Sequence, residues 1–226
     1  NRDYKVILNI WGADHHSHIS RLKASMRLLS NDLDKLQFVL IQFVRLVKDG
    51  EDVSMSKRSG TYITIKDMLE EFNGDLVRFL MVSRSSDSHF DFDLDKCREG
   101  SDENPIYYIQ YAHARINSIL KKYNSESFDI ENVDLSLLNS EKEIALIKKI
   151  LDFPVVVREA SSSLAPHKVA FYLQELASIF HGYYKITKVL VEDQSVSSAR
   201  ISLLYSLRVV FANGLNLLGV SSPDRM

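Results

Sequence analysis

The stretch Asn104-Pro105-Ile106-Tyr107-Tyr108-Ile109-Gln110-Tyr111-Ala112-His113-Ala114-Arg115 decides how this chain is organised. Asn-Pro opens a helix, because the missing N–H of proline costs nothing in a first turn. The pattern carries on to about Tyr123. Ile109, Ala112, Ile116 and Ile119 recur at steps of three, four and three, which lays an apolar stripe along one face. Tyr108, Tyr111 and Arg115 form a second stripe, roughly a quarter turn away. Flat aromatic rings beside a guanidinium suit unstacked RNA bases. The same residues also suit the edge of a helical core, with the tyrosine hydroxyls in water.

Downstream of this helix, residues 124–140 are polar and acidic without Lys or Arg, and read as a surface loop. Three more helices follow. Ile144, Ile147 and Leu151 mark the first. Val169, Leu173, Leu176, Phe180 and Tyr183 mark the second. Leu204, Leu207, Phe211, Leu215 and Leu218 mark the last. Gly219 sits where a helix C-cap belongs, with Pro223 beyond it.

Upstream the periodicity changes. Val6, Ile7, Leu8 and Ile10 form a short buried-strand signal that ends at Gly12. A helix is expected from about His15 to Ser30, with Ile19, Leu22, Met26 and Leu29 on one side. The apolar run Leu36 to Val47 reads as a strand, although its length also permits a helix. Asp49-Gly50 is a turn signal. A short helix is expected over Lys66–Phe72, broken by Asn73-Gly74. Asp75 can cap the next helix, through Leu76, Phe79 and Leu80. His89 to Leu94 alternates Phe with Asp, as an extended linker or edge segment does. The expected fold is therefore mainly α: an α/β portion over residues 1–100, followed by a helical bundle over 101–226.

The composition excludes several functions. The chain has 226 residues, of which 45% are hydrophobic and 26% charged, which is ordinary for a globular protein. Its formal net charge of −2 excludes a polycation that coats nucleic acid, so any RNA contact must be local and shaped. The single Cys97 excludes an intramolecular disulfide and a Cys-rich zinc site, and fits a reducing cytosol. No uninterrupted apolar run reaches the ~18 residues of a membrane span, and the start of the chain lacks a signal peptide's apolar core.

Two further clusters could carry chemistry. In Trp11-Gly12-Ala13-Asp14-His15-His16-Ser17-His18 a strand ends, a glycine permits close backbone approach, and a helix begins. Open α/β sheets bind nucleotides at such strand ends, and helix N-termini offer N–H groups to anions. Asp14 could accept from a sugar hydroxyl. It could equally cap the helix, with the histidines on the surface. The three histidines could supply two metal ligands, but no third carboxylate or thiolate accompanies them. The second cluster, Ser54-Met55-Ser56-Lys57-Arg58-Ser59-Gly60, is a pliable loop carrying adjacent cations. Such a loop can close over a triphosphate and neutralise charge that develops in nucleotidyl transfer, or it can be a plain solvated basic loop.

Together these motifs closely resemble arginyl-tRNA synthetases, a class I aminoacyl-tRNA synthetase family. Gly12-Ala13-Asp14-His15-His16 resembles the family's adenosine-contacting loop in the second half of its Rossmann fold. Met55-Ser56-Lys57-Arg58-Ser59-Gly60 resembles its form of the "KMSKS" loop. Asp91-Phe92-Asp93 with residues 104–115 resembles the entry to its anticodon-binding helices, and Asn213-Gly214-Leu215 through Pro223-Asp224-Arg225-Met226 resembles its C-terminus.

The resemblance implies ATP-dependent activation of arginine and transfer to tRNA(Arg), with Mg²⁺ accompanying ATP. It implies adenosine binding by Gly12, Asp14, His15 and His16. Lys57 would steady the phosphate charge, with Ser56 and Met55 shaping the loop. Tyr108, Tyr111, Arg115, Tyr184 and Met226 would meet the anticodon loop. No resident metal site is implied, and a cytoplasmic monomer without membrane contact is expected.

Some letters depart from the family pattern. Ser54 stands where the "KMSKS" loop begins with Lys. Ser17 and His18 replace a commoner Gly-Tyr pair. The His-x-Gly-His signature of class I enzymes does not occur in the sequence, and neither does the upstream part of the arginine pocket nor the N-terminal tRNA-elbow domain. The chain is thus expected to be the carboxyl-terminal portion of a longer enzyme, inactive alone. A stand-alone RNA-binding helical module is the alternative. A cysteinyl enzyme would need zinc-binding cysteines that one Cys cannot supply.

Overall fold

A computed structural model describes residues 4–29, 32–53, 63–98, 104–123 and 133–226. Its elements run β1 (Ile7–Gly12), α1 (His18–Leu28), β2 (Leu36–Ile41), β3 (Val44–Lys48), β4 (Glu51–Asp52), α2 (Ile65–Glu71), α3 (Gly74–Val82), β5 (Phe90–Asp93), α4 (Leu94–Arg98), α5 (Pro105–Tyr123), α6 (Glu141–Ser162), α7 (His167–Ile186) and α8 (Gln194–Leu218). The architecture is mainly α, as the sequence implies. Contacts divide it into one unit of residues 1–64 and 84–98 and a second of residues 65–83 and 99–226. Helices α2 and α3, grouped with residues 1–100 by sequence, thus pack with the bundle. Leu76 and Phe79 of α3 are buried, and α3 packs on α5 and α7.

In the first unit, β1 and β2 pair in parallel, Ile7 opposite Leu36 through Gly12 opposite Ile41. β3 pairs in parallel with β5, Val44 opposite Phe90, and antiparallel with β4. The expected single element over Leu36–Val47 is therefore two strands in two sheets. The break falls at Gln42-Phe43, where the Gln42 N–H donates to the Ser86 carbonyl instead of continuing the β1 ladder. Asp49 and Gly50 both have positive φ, 52° and 77°, as a tight two-residue hairpin turn requires. β5 is the edge strand the Phe/Asp alternation suggested. Phe92 is fully buried, while Asp91 faces outward and pairs with Arg45. Asp93 accepts from the Asp95 and Lys96 N–H groups and so starts α4. The helix expected from His15 starts at His18, after a 3-10 turn over Ala13–His15.

In the second unit, α5, α7 and α8 share the core. The three helices pack on one another, and Ile106, Ile109, Ala112 and Ile116 of α5, Leu173, Leu176, Ala177 and Phe180 of α7 and Leu204, Leu207, Phe211 and Leu215 of α8 are all fully buried. α6 packs against α7 and inserts Leu146, while Leu151, one of its sequence markers, is exposed. The cap of α3 is Asn73, whose side chain accepts from the Asp75 N–H, and not Asp75 itself. Asn73 lies in the extended conformation that an N-cap needs, whereas Asp75 is already in the first turn, with its carboxylate directed elsewhere. Among the described residues one helix, α8, is long and apolar enough to cross a membrane, but 56% of its most apolar window is buried in the bundle.

α8 ends in a Schellman motif. Val220 N–H donates to Leu215 O and Gly219 N–H to Asn216 O, with Gly219 at φ 70° and Val220 buried. One turn earlier, Gly214 lets α8 approach α7 closely. A Cβ there would lie 2.7 Å from Leu173 Cδ2, and Leu173 is fully buried with nowhere to move. Gly214→Ala is therefore expected to destabilise the bundle by about 1–3 kcal/mol. Urea unfolding checks this, and an unchanged midpoint would show that the two helices can part freely.

Candidate nucleic-acid interface

The first unit carries the strand-end cluster. β1 delivers the chain to Gly12, and the 3-10 turn reverses it into α1. Gly12 is in an extended conformation that any residue adopts, and the nearest neighbour of a Cβ there would be the movable end of the half-exposed Asp14 side chain. A Cβ would lie 2.6 Å from Asp14 Oδ1. The Asp14 carboxylate therefore folds back over the end of the strand. It does not cap α1, whose N-cap, Ser17, shows no side-chain cap bond. Asp14 sits 3.6 Å from His15 Nε2, with both side chains about half exposed, so its oxygens remain open to an incoming donor. The His15 ring meets Trp11 edge-on at 6.4 Å and His18 at 5.3 Å. His18 thus steadies His15 laterally, and His16 stays on the surface. Met55, Ser56 and Lys57 lie outside the described residues.

The second unit holds a cavity of about 420 Å³ lined by Tyr111, Ala114, Arg115, Ser118, Ile119, Lys122, Tyr184, Arg225 and Met226. Helical spacing explains its α5 wall: 111, 115, 118 and 122 recur at steps of four, three and four and share one face. The Arg115 guanidinium lies over the Tyr111 ring at 4.5 Å and over the Tyr184 ring at 4.7 Å. Such contacts hold a cation in place while leaving its N–H edge to donate. Lys122 and Arg225 add two more positive groups at the rim. A flat, electron-rich ligand with an adjacent phosphate fits this chemistry: rings to stack on, donors for base-edge acceptors, and cations for the backbone.

Of the five residues expected at an RNA contact, the structure brings Tyr111, Arg115, Tyr184 and Met226 together. Tyr108 stands apart from the cavity. Its ring packs on His181 with centroids 4.4 Å apart, and its carbonyl accepts from His181 Nε2 at 3.2 Å. His181 in turn stacks on Tyr111 at 5.7 Å. Burial pushes the His181 pKa down, and the nearby Arg115 charge acts in the same direction against the opposing hydrogen bond to Tyr108. A neutral imidazole so held is a prop behind Tyr111.

Lys122, Arg225 and His181 escaped the sequence reading. Lys122 was reachable, lying seven residues beyond Arg115 on the same helix face. Arg225 and His181 reach the site from distant segments, with no local signal. Among the described residues no three His, Cys, Asp or Glu side chains form a group suited to a metal. Burial pushes the Cys97 thiol up to about 11, so it stays protonated at neutral pH.

Comparison with known proteins matches both parts of the chain. The family model described as "tRNA synthetases class I (K)" matches residues 3–134, and that of the "DALR anticodon binding domain" matches residues 109–226. The arginine–tRNA ligase of Carboxydothermus hydrogenoformans is 45% identical over 100% of this chain and 41% of its own length. A solved Campylobacter jejuni chain assigned as an arginyl-tRNA synthetase superposes with a TM-score of 0.89 at 33% identity, over 100% of this chain and 49% of that one. Thermus thermophilus arginyl-tRNA synthetase does so with a TM-score of 0.79 at 26% identity, over 98% and 41%. The chain thus spans less than half the length of each of these relatives. With a class I model matched over its first half and an anticodon-binding model over its second, the chain belongs to the class I tRNA synthetases that carry a DALR anticodon-binding domain.

Proposed function

We propose that the chain is the carboxyl-terminal part of an arginine–tRNA ligase, which activates arginine with ATP and transfers it to tRNA(Arg). In this reading residues 1–100 belong to the catalytic domain and residues 101–226 bind the anticodon loop. Gly12, Asp14, His15 and His16 hold adenosine. Lys57, with Ser56 and Met55, steadies charge on the phosphates, and Mg²⁺ enters with ATP as part of the substrate. The observation that carries the reading is the stacked Arg115 between Tyr111 and Tyr184 beside an open cavity. An unstacked anticodon base is the ligand that uses all of these groups at once. The ligase identity is supported by curated relatives named arginine–tRNA ligases.

Binding to an anticodon stem-loop of tRNA(Arg) tests the RNA half. Tyr111→Ala and Arg115→Ala are each expected to weaken binding by about 1–3 kcal/mol. With Arg115, Lys122 and Arg225 as the local cations, log K against log salt is expected to slope at only about −2. Wild-type affinity in both variants would reject the cavity as the RNA site. Arginine-dependent ATP–pyrophosphate exchange separates the ligase part from a stand-alone binding module. These 226 residues, which carry no His-x-Gly-His, are expected to show no turnover alone.

A further inference from the structure

Helix α5 has a third face that neither the core nor the cavity uses. Gln110, His113 and Asn117, at steps of three and four, are all buried polar side chains, and all three turn to the tail that follows α8. Gln110 Nε2 donates to Ser221 O at 2.9 Å. His113 Nδ1 lies 3.0 Å from Pro223 O. Asn117 Nδ2 donates to Asp224 Oδ1 at 3.1 Å. A fourth anchor comes from α3. Asp75 Oδ2 accepts from the Ser221 N–H at 3.1 Å, from the Ser221 hydroxyl and from Gln110 Nε2 at 2.9 Å. One carboxylate oxygen therefore ties α3, α5 and the tail together. The next two residues of the tail, Arg225 and Met226, are cavity wall.

We propose that Asp75, Gln110, His113 and Asn117 are positioning residues for RNA recognition. They fix the register of the tail so that Arg225 and Met226 close the cavity beside Tyr111 and Arg115. A tail without them would need to be ordered at the moment of binding, which weakens affinity without removing any direct contact. The inference rests on the reading of the cavity as an RNA-base site.

Ser221 is exposed, so a charge there tests the anchor without burdening the core. Ser221→Asp sets a second carboxylate against Asp75. Adding Asp75→Asn restores one donor facing one acceptor. Two readouts are taken on the 226-residue chain: the ¹³C-methyl resonance of Met226 in methionine-labelled protein, and affinity for the anticodon stem-loop of tRNA(Arg). Ser221→Asp is expected to move the Met226 methyl to the position of a free tail and to weaken stem-loop binding about tenfold. The Ser221→Asp/Asp75→Asn pair is expected to recover both to within about threefold of wild type. Rescue by exchange of partners is not what general destabilisation produces, and melting curves of the three proteins check that all are folded. Wild-type affinity in Ser221→Asp overturns the proposal, whether or not the methyl moves, and so does a double variant no better than the single. The cavity reading stands or falls separately. If Tyr111→Ala still weakens binding while Ser221→Asp does not, the positioning role alone is lost. If neither does, both are.

Discussion

Arg200→Ala is expected to destabilise the bundle by about 3 kcal/mol at neutral pH, because it strands a buried carboxylate. Glu143, at the start of α6, is 1% exposed and accepts from Arg200 Nε at 2.9 Å, with the arginine side chain 20% exposed. The same glutamate closes a capping box with Ser140, whose hydroxyl and N–H both donate to Oε2 while the Glu143 N–H donates back to the Ser140 hydroxyl. Arg200 also donates to the Lys188 carbonyl. The pair therefore joins the start of α6, the segment after α7 and the first half of α8. The buried Tyr183 hydroxyl lies near Glu143 without a well-formed hydrogen bond, and its burial, reinforced by that negative charge, keeps its proton on.

The pH dependence has a definite sign. Burial alone would raise the Glu143 pKa, but the bonds from Ser140 and Arg200 outweigh it and leave the group below its ordinary value of 4.5. A carboxylate depressed in the folded state stabilises the fold above its unfolded pKa. That contribution is lost as the pH falls below about 4.5, through the depressed folded value. Removing Arg200 takes away a hydrogen bond and a positive charge that both lower the Glu143 pKa, so the folded value rises relative to wild type. The deficit of Arg200→Ala should then be largest near pH 7 and shrink toward pH 4, as Glu143 in the variant takes up a proton before the wild-type group does. Urea unfolding at the two pH values measures this, and a deficit independent of pH would reject the stranded-charge account.

Gly219→Ala is expected to cost about 2–3 kcal/mol through two separable causes. Gly219 has φ 70°, a left-handed conformation that costs an L-residue about 1–2 kcal/mol. A Cβ there would also lie 2.4 Å from Arg78 Nε, which donates to Leu218 O at 2.7 Å. Arg78 thus satisfies a C-terminal carbonyl of α8 by lying flat against the glycine, and an alanine pushes it away. The causes part in a double-mutant cycle. In an Arg78→Ala background the Gly219→Ala penalty should fall to the backbone cost alone. Equal penalties in both backgrounds would mean that the arginine swings aside freely.

Much of this fold is legible in the sequence because it depends on local periodicity. The stripes of α5, α7 and α8, the Asn-Pro start, the glycine cap and the Asp-Gly turn each depend on residues close in sequence. What escaped depends on distance. Leu36–Val47 is one apolar run, and nothing local reveals that Gln42 leaves one sheet for another by bonding Ser86. Asp75 looks like a cap because it precedes an apolar helix, yet Asn73 takes that role and Asp75 faces Ser221, 146 residues away. Tyr108 shares a stripe with Tyr111, but His181 from α7 claims its ring. For the candidate site the tyrosine and arginine spacing on α5 sufficed to find one wall. The tail could be seen only by resemblance, and its anchors not at all, since Gln110, His113 and Asn117 read individually as ordinary polar letters.

Helix α5 divides its circumference among three tasks: core contact through Ile109, Ala112 and Ile116, tail contact through Gln110, His113 and Asn117, and cavity lining through Tyr111, Arg115 and Ser118. Each residue turns the helix by about 100°, so the three tasks are interleaved letter by letter. Deleting a single residue near Ile109 would rotate everything beyond it onto the wrong neighbour. Polar tail anchors would enter the core, and core isoleucines would face the cavity. This helix can drift by substitution within a face, but its length is locked.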